Sequence, residues 1–212
     1  MLGFMFMRHL PKYYFSLFLL SLLSLSCDNP TPAEEPALEL WPMKVGNFWE
    51  LKTFHYDSTG TVEYSSPNTL RYETLAETSV AYQKMFLLLW ESDAAGYATN
   101  KSDGFHMVIA NAETTTAQTQ LFYKYPAKRG DSIVATGVWN FRKYVVAIDT
   151  LLTIPLGTFK SYIYAPPNSD RYKYFIVFAP GVGLIKEEQY EKTNNGIWYL
   201  SYKKELVQYR VQ

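Results

Sequence analysis

The sequence predicts an all-β fold, an antiparallel β-sandwich or half-open β-barrel of about ten to twelve strands with little helix. Three observations carry that expectation. Aromatic residues make up 17% of the 212-residue chain, with eighteen tyrosines and five tryptophans, and rings of this kind suit the pleated, half-buried surface of a sheet. Short apolar or alternating segments recur between clusters of Gly, Pro, Asn and Asp, which is strand-and-turn punctuation. No segment sustains the 3.6-residue apolar period of an amphipathic helix. The length suits one sizeable domain, and we place it at residues 38–212. Lysine and arginine balance aspartate and glutamate at 20 each, which argues against a nucleic-acid partner, since phosphates call for a basic excess.

The elements follow in order. Phe48–Tyr56 alternates bulky and polar residues, Asp57-Ser58-Thr59-Gly60 turns, and Thr61–Tyr64 returns as a hairpin partner. Leu70–Glu77 reads as a strand, although one helix could lie within Leu70–Ser79 or Asp93–Ser102. Tyr82–Trp90 is a near-continuous apolar run, suited to a central strand, and Ala95-Gly96 turns the chain. Gly104–Ala110 and Gln118–Tyr125 are two more strands, and the Thr-rich Glu113–Thr119 stretch beside the second reads as a loop. After the polar turn Pro126–Asp131 come Tyr144–Ile154, a bend at Pro155-Leu156-Gly157, and Thr158–Tyr164. Tyr172–Phe178 and Leu184–Tyr190 flank Ala179-Pro180-Gly181-Val182-Gly183. Asn194-Asn195-Gly196 marks a hairpin, because both residue types tolerate positive φ, and Trp198–Tyr202 and Leu206–Val211 close the chain. Trp41-Pro42-Met43-Lys44-Val45-Gly46-Asn47 and Tyr125-Pro126-Ala127-Lys128-Arg129-Gly130-Asp131 share one pattern. They read either as the opening turns of two half-domains or as a chance likeness of turn chemistry.

Residues 1–26 read as a targeting segment rather than as part of the fold. Arg8, His9 and Lys12 are basic, and Phe15–Leu25 is an uncharged apolar run, too short for a span that needs about 20 apolar residues. The chain's single cysteine, Cys27, follows. This arrangement resembles a bacterial lipoprotein signal peptide, with Ser24 where leucine is usual three residues before the cysteine. The resemblance implies cleavage before Cys27, diacylglycerol on its thiol, and a membrane partner through the acyl chains. A leftover thiol behind an ordinary secretory signal and an uncleaved anchor are the alternatives. Residues 27–37, with three prolines and three acidic residues after the cysteine, read as an extended tether.

Three segments of the body, Trp41–Trp49 (WPMKVGNFW), Ile154–Tyr162 (IPLGTFKSY) and Phe178–Lys186 (FAPGVGLIK), together resemble a family of uncharacterised envelope lipoproteins of Gram-negative bacteria. That resemblance implies a β-rich half-barrel or sandwich, like the envelope carriers that cradle acyl chains, and a place in the cell envelope, at the outer membrane, on either its periplasmic face or the cell surface. Each segment also has a structural reading: Gly46, Gly157 and Gly183 permit turns or close backbone approach, and Phe48, Trp49, Phe159 and Leu184 suit a core.

Chemistry has little support. His55 and His106 are the histidines beyond residue 27 and stand far apart, no His-Glu-x-x-His or cysteine pair is present, and neither a metal site nor a cofactor is expected. There is no Gly-x-Ser-x-Gly elbow, and Gly181-Val182-Gly183 lacks the context of a dinucleotide loop. Glu50, Asp57, Glu91, Asp149, Glu187 and Glu188 could supply a glycosidase-like carboxylate pair, but strand-surface carboxylates are mostly solvated, so no enzyme is expected. Tyr162, Tyr164, Tyr172 and Tyr174 surround the Ala165–Asp170 loop and are the candidate ligand-binding residues, since tyrosine offers a flat apolar face with a polar tip. Cross-strand aromatic pairing is the competing account of the same four. The leading expectation is a lipid-anchored, non-enzymatic structural or binding module. A carrier or chaperone with an apolar groove for lipid or lipoprotein, and a surface protein that binds or cleaves glycan, are the alternatives.

Overall fold

The computed structural model describes residues 38–80, 82–90, 94–109, 118–135 and 140–212. These form twelve strands: β1 Phe48–Tyr56, β2 Val62–Val80, β3 Gln83–Trp90, β4 Ala94–Lys101, β5 Gly104–Ile109, β6 Gln118–Lys124, β7 Ser132–Ala135, β8 Phe141–Ile154, β9 Gly157–Ala165, β10 Tyr172–Ala179, β11 Gly183–Lys192 and β12 Trp198–Arg210. All pair antiparallel in one sheet of order β6-β5-β4-β3-β2-β1-β12-β11-β10-β9-β8-β7. Every sequential neighbour except β6 and β7 is hydrogen-bonded, and β1 closes onto β12. The sheet curls until β6 lies alongside β7, and rings cross that seam, with Phe122 of β6 and Phe141 of β8 4.9 Å apart. The result is a nearly closed up-and-down barrel, the half-open form of the expected all-β fold.

Several expected boundaries are corrected. Leu70–Ser79 lies in β2 and Asp93–Ser102 overlaps β4, so neither is helical among the described residues. Ala95-Gly96 is not a turn but lies inside β4. Gly96 is needed there because the Trp90 ring of the neighbouring strand lies over it, 2.5 Å from where a Cβ would stand. Thr61–Tyr64, from Val62 on, and Leu70–Glu77 belong to one 19-residue strand. Pro67 is tolerated inside it because the pairing with β1 slips between Lys52 and Phe54, leaving it off the ladder. Trp198–Tyr202 and Leu206–Val211, as far as Arg210, likewise merge into β12, since the intervening Lys203, Lys204 and Glu205 stay in the ladder and find ion partners on neighbouring positions. Gln118 and Thr119 are in β6 rather than in a loop, and residues 113–117 of the Thr-rich patch lie outside the described residues. The four-residue β7 carries too little pattern to show in the sequence.

The paired opening turns are a true structural repeat. In the first, Asn47 N donates to Lys44 O (2.9 Å), Gly46 N to Thr74 O (2.8 Å) and Thr74 N back to Asn47 O (2.9 Å). In the second, Asp131 N donates to Lys128 O (3.0 Å), Gly130 N to Val145 O (2.8 Å) and Val145 N back to Asp131 O (2.8 Å). Gly46 and Gly130 adopt the same left-handed φ, 87° and 90°, which only glycine takes without strain. One turn leads into β1 and the other into β7, six strands on around a twelve-strand circuit. The barrel is therefore two six-stranded meanders related by a pseudo-two-fold along its axis.

The chain enters the body at the end where both turns lie and plugs it. Glu39 O accepts from Gly181 N at 2.7 Å, and Asn100 Nδ2 donates to Trp41 O at 2.8 Å, so residues 38–43 bridge the end from the β10–β11 turn to the end of β4. Trp41, 5% exposed, lies with its ring centroid 5.5 Å from Trp49, 5.7 Å from Tyr72, 5.1 Å from Phe105 and 5.4 Å from Phe178. Gly183 lets the plug close: a Cβ there would meet Trp49 Nε1 at 2.8 Å and Trp41 Cδ1 at 2.9 Å, and Trp49 Nε1 donates to the Val182 carbonyl. The WPMKVGNFW and FAPGVGLIK segments thus meet at this plug. Leu40, Leu51, Leu88, Val145, Ile185 and Leu206 continue the apolar filling behind it.

Candidate functional site

The concave face of the sheet changes character away from the plug, and the register shows how. Side chains alternate faces along a strand, and antiparallel partners share a face. Leu51 pairs with Leu206, Thr53 with Lys204 and His55 with Tyr202; Glu187 pairs with Lys204 and Gln189 with Tyr202; Ile176 pairs with Glu187, Tyr174 with Gln189 and Tyr172 with Glu191. Behind the apolar layer of Leu51, Ile185 and Leu206 therefore comes a layer holding Thr53, Glu187 and Lys204, into which Tyr174, opposite Gln189 in register, extends its hydroxyl. Beyond it, at the far end, stand His55, Tyr172, Gln189 and Tyr202.

The middle layer is a buried ionic cluster. Lys204 Nζ lies 3.4 Å from Glu187 Oε2, with both side chains about nine-tenths buried, and Tyr174 donates its hydroxyl to the same oxygen at 2.7 Å. Burial, then the Glu187 charge, push the Tyr174 phenol far above its ordinary range. Lys143 of β8 pairs with the buried Ile133 and so points to the same face. Its ammonium lies over the rings of Tyr123 (4.0 Å), Phe141 (4.3 Å) and Phe122 (5.1 Å). Burial pulls its pKa down to about 7 against the opposing pull of Glu187. The buried Thr53 hydroxyl has no hydrogen-bond partner. Two lysines against one carboxylate give the layer an excess of cationic character.

At the far end His55 packs between Tyr64, at 5.9 Å, and Tyr202, at 5.2 Å. Tyr64 and Tyr172 are about half exposed. Tyr172, Gln189 and Glu191 continue with Arg171 and Lys192 into an open groove of about 560 Å³. The backbone holds this rim in place: Lys192 N donates to Arg171 O at 3.0 Å, and the Ser169 hydroxyl accepts from Tyr172 N at 2.8 Å.

The four candidate tyrosines share the concave face of β9 and β10 but stand at different depths. Tyr164 is fully buried and donates to Lys124 O at 2.7 Å. Tyr162 packs edge-on against Tyr125 at 5.1 Å. Tyr174 belongs to the ionic layer, and Tyr172 to the exposed rim. Cys27 lies outside the described residues. Of the carboxylates, Glu50 pairs with Arg71 (2.8 Å) and Asp149 with Lys160 (3.0 Å). Asp57 Oδ1 accepts from Thr59 and Thr61 and closes its turn. Glu188 faces outward beside Lys186 (2.6 Å), and Glu91 lies outside the described residues. His106 Nε2 lies 2.7 Å from Asp103 Oδ1, and among the described residues no three His, Cys, Asp or Glu side chains gather where they could hold a metal ion. Sequence reasoning missed Lys143, Lys204, Thr53, Tyr64 and Tyr202 as site residues. One usable signal existed: in LIKEEQY, Glu187 falls in phase with the core residue Ile185.

No protein-family model and no curated protein matches the chain. Two solved structures do. One is a candidate exported protein with a YmcC-like fold from Bacteroides fragilis, at 14% identity and TM-score 0.49, covering 83% of this chain and 100% of that one. The other is a candidate lipoprotein from Parabacteroides distasonis, at 16% identity and TM-score 0.44, with the same coverages of 83% and 100%.

Proposed function

We propose that the protein is a non-enzymatic binding module of the bacterial cell envelope, held at the outer membrane by acyl chains on Cys27, and that the end of the barrel opposite the plug receives a glycan. The observation that carries the reading is the contrast between the two ends. Stacked rings fill the plugged end, whereas the far end offers half-exposed tyrosines above a polar layer. Sugars bind through flat apolar faces stacked on aromatic rings together with hydrogen bonds to hydroxyls, and Tyr64, Tyr172, Gln189 and His55 supply both. A carrier for acyl chains would need an apolar hollow, but the apolar part of this face is occupied by Trp41, Trp49, Phe105 and Phe178. The N-terminal pattern of basic residues, apolar run and Cys27 supports the anchor.

A microarray of envelope polysaccharides and peptidoglycan fragments, run beside a fluorescent fatty-acid uptake assay, tests the reading. Retention of a glycan, weakened by Tyr64→Ala and Tyr172→Ala, is expected, with no fatty-acid uptake. A silent array together with fatty-acid uptake would replace this reading with the carrier. Palmitate labelling that is lost in Cys27→Ser checks the anchor separately.

A further inference from the structure

The plugged end has a second character that neither the core nor the glycan reading uses. It is basic and carries exposed apolar tips, and each half of the pseudo-two-fold supplies both. The first opening turn exposes Lys44 and Val45, and the second exposes Lys128 and Arg129. Because these turns precede β1 and β7, they lie on opposite sides of the barrel at the same end. Arg210 joins the first turn, donating through Nε and Nη2 to Gly46 O at 3.1 and 2.8 Å. The acids nearby are already engaged: Glu77 with Lys84 (2.8 Å), Asp131 with Lys124 (2.9 Å), Asp149 with Lys160 (3.0 Å), and Glu39 with Asn100 Nδ2 (2.8 Å) and Met43 N (3.1 Å). Glu39 meets only neutral donors, and Asp103, 57% exposed, pairs among the described residues only with His106 (2.7 Å), but Lys44, Lys128, Arg129 and Arg210 outnumber these two carboxylates and leave the end basic.

The hairpins related by the same repeat, β2–β3 and β8–β9, turn at this end. Tyr82 at the first tip is fully exposed, Leu156 at the second is exposed, and Leu151, 73% open, stands opposite Lys160 three pairs back along the same hairpin. Leu38, where the chain enters, is exposed as well. Large apolar side chains on a hairpin tip gain nothing from water, whereas tyrosine and leucine beside lysine and arginine suit the zone between headgroups and acyl chains.

We propose that the plugged end of the barrel docks on an anionic phospholipid surface, with Lys44, Lys128, Arg129 and Arg210 meeting headgroups and Tyr82, Leu151 and Leu156 entering the interface. The location of Leu38 favours lipid over a protein partner. Ten residues separate it from Cys27, and at roughly 3.5 Å each they reach at most about 40 Å, so an acylated Cys27 keeps this end within that distance of a bilayer. Each basic side chain near an anionic surface contributes about a fivefold gain in partitioning. Reversing three of them should therefore cost a hundredfold or more, and the interaction should fade as salt screens it.

The test uses the chain from residue 27 onward carrying Cys27→Ser, so that acylation, and hence the anchor reading above, plays no part. It is sedimented with vesicles of phosphatidylethanolamine and phosphatidylglycerol, and with vesicles of phosphatidylcholine alone. The expected result is salt-sensitive cosedimentation with the phosphatidylglycerol vesicles and little with phosphatidylcholine. A Lys44→Glu, Lys128→Glu, Arg129→Glu triple variant should bind about a hundredfold or more weakly, and Tyr82→Ser with Leu156→Ser should bind several-fold more weakly. All five positions are exposed, so an unchanged circular-dichroism melt certifies the fold of each variant. Absence of binding at low salt, equal binding to both vesicle types, or binding untouched by the charge reversal would overturn the proposal.

Discussion

Replacing Trp41 separates packing from polar satisfaction at the plug. Its ring contacts Trp49, Tyr72, Phe105 and Phe178 at centroid distances between 5.1 and 5.7 Å, and its indole nitrogen is buried without a hydrogen-bond partner. Truncating such a ring costs about 3–5 kcal/mol from lost transfer energy and residual cavity. Four lost aromatic pairs, each worth about 0.5–1.5 kcal/mol, place Trp41→Ala toward the upper end of that range. Trp41→Phe differs in kind. It keeps a ring in the site and deletes an unpaired N–H whose burial costs about 1–3 kcal/mol, which offsets much of the lost area. The expected destabilisations are about 4–5 kcal/mol for Trp41→Ala and about 1 kcal/mol or less for Trp41→Phe. Urea unfolding followed by far-UV circular dichroism measures both, because the backbone signal is independent of the tryptophan removed. Equal loss in the two variants would refute the offset, and an alanine variant as stable as the parent would refute the plug itself.

Two other substitutions have defined outcomes. Gly183→Ala should destabilise by several kcal/mol, because φ is +110° and the new methyl would meet the Trp49 and Trp41 rings below 3.0 Å; a near-neutral melting temperature would show that the two rings can withdraw. Lys143→Met should raise the melting temperature at pH 6. The folded pKa of Lys143, about 7, lies below the 10.5 of a free lysine, so between those values the unfolded chain binds the proton that the folded one releases, and parent stability rises with pH. The advantage of the methionine variant should therefore shrink from about pH 7 upward. Above about pH 10 parent and variant alike lose stability as pH rises, because Tyr123, Tyr164 and Tyr174 hold their protons in the fold at pH values where free tyrosine loses them. A methionine advantage that stays constant with pH would contradict the burial of Lys143 in its cationic form.

The chain by itself determined its class and most of its elements. Phe48–Tyr56 coincides with β1, and the Gly-, Pro- and Asn-marked bends at Pro155–Gly157 and Asn194–Gly196 lie where strands turn, because side-chain alternation and permitted φ are local properties that a sequence carries openly. The likeness of the Trp41–Asn47 and Tyr125–Asp131 turns was visible too, and the matching backbone bonds give it meaning. What only tertiary structure decided depends on residues distant in the chain. Gly96 resembles a turn until the Trp90 ring is seen to occupy its Cβ site, and Pro67 breaks a strand on paper while a slipped register absorbs it. The four tyrosines near residues 162–174 look equivalent as letters, yet the curl that brings β6 alongside β7 buries Tyr164 against Tyr123, the β10–β11 pairing gives Tyr174 to Glu187, and Tyr172 is left at the rim. Depth inside a barrel is set by which strands become neighbours and with what stagger, and pairing energies between strands more than a hundred residues apart leave no periodic trace in either segment.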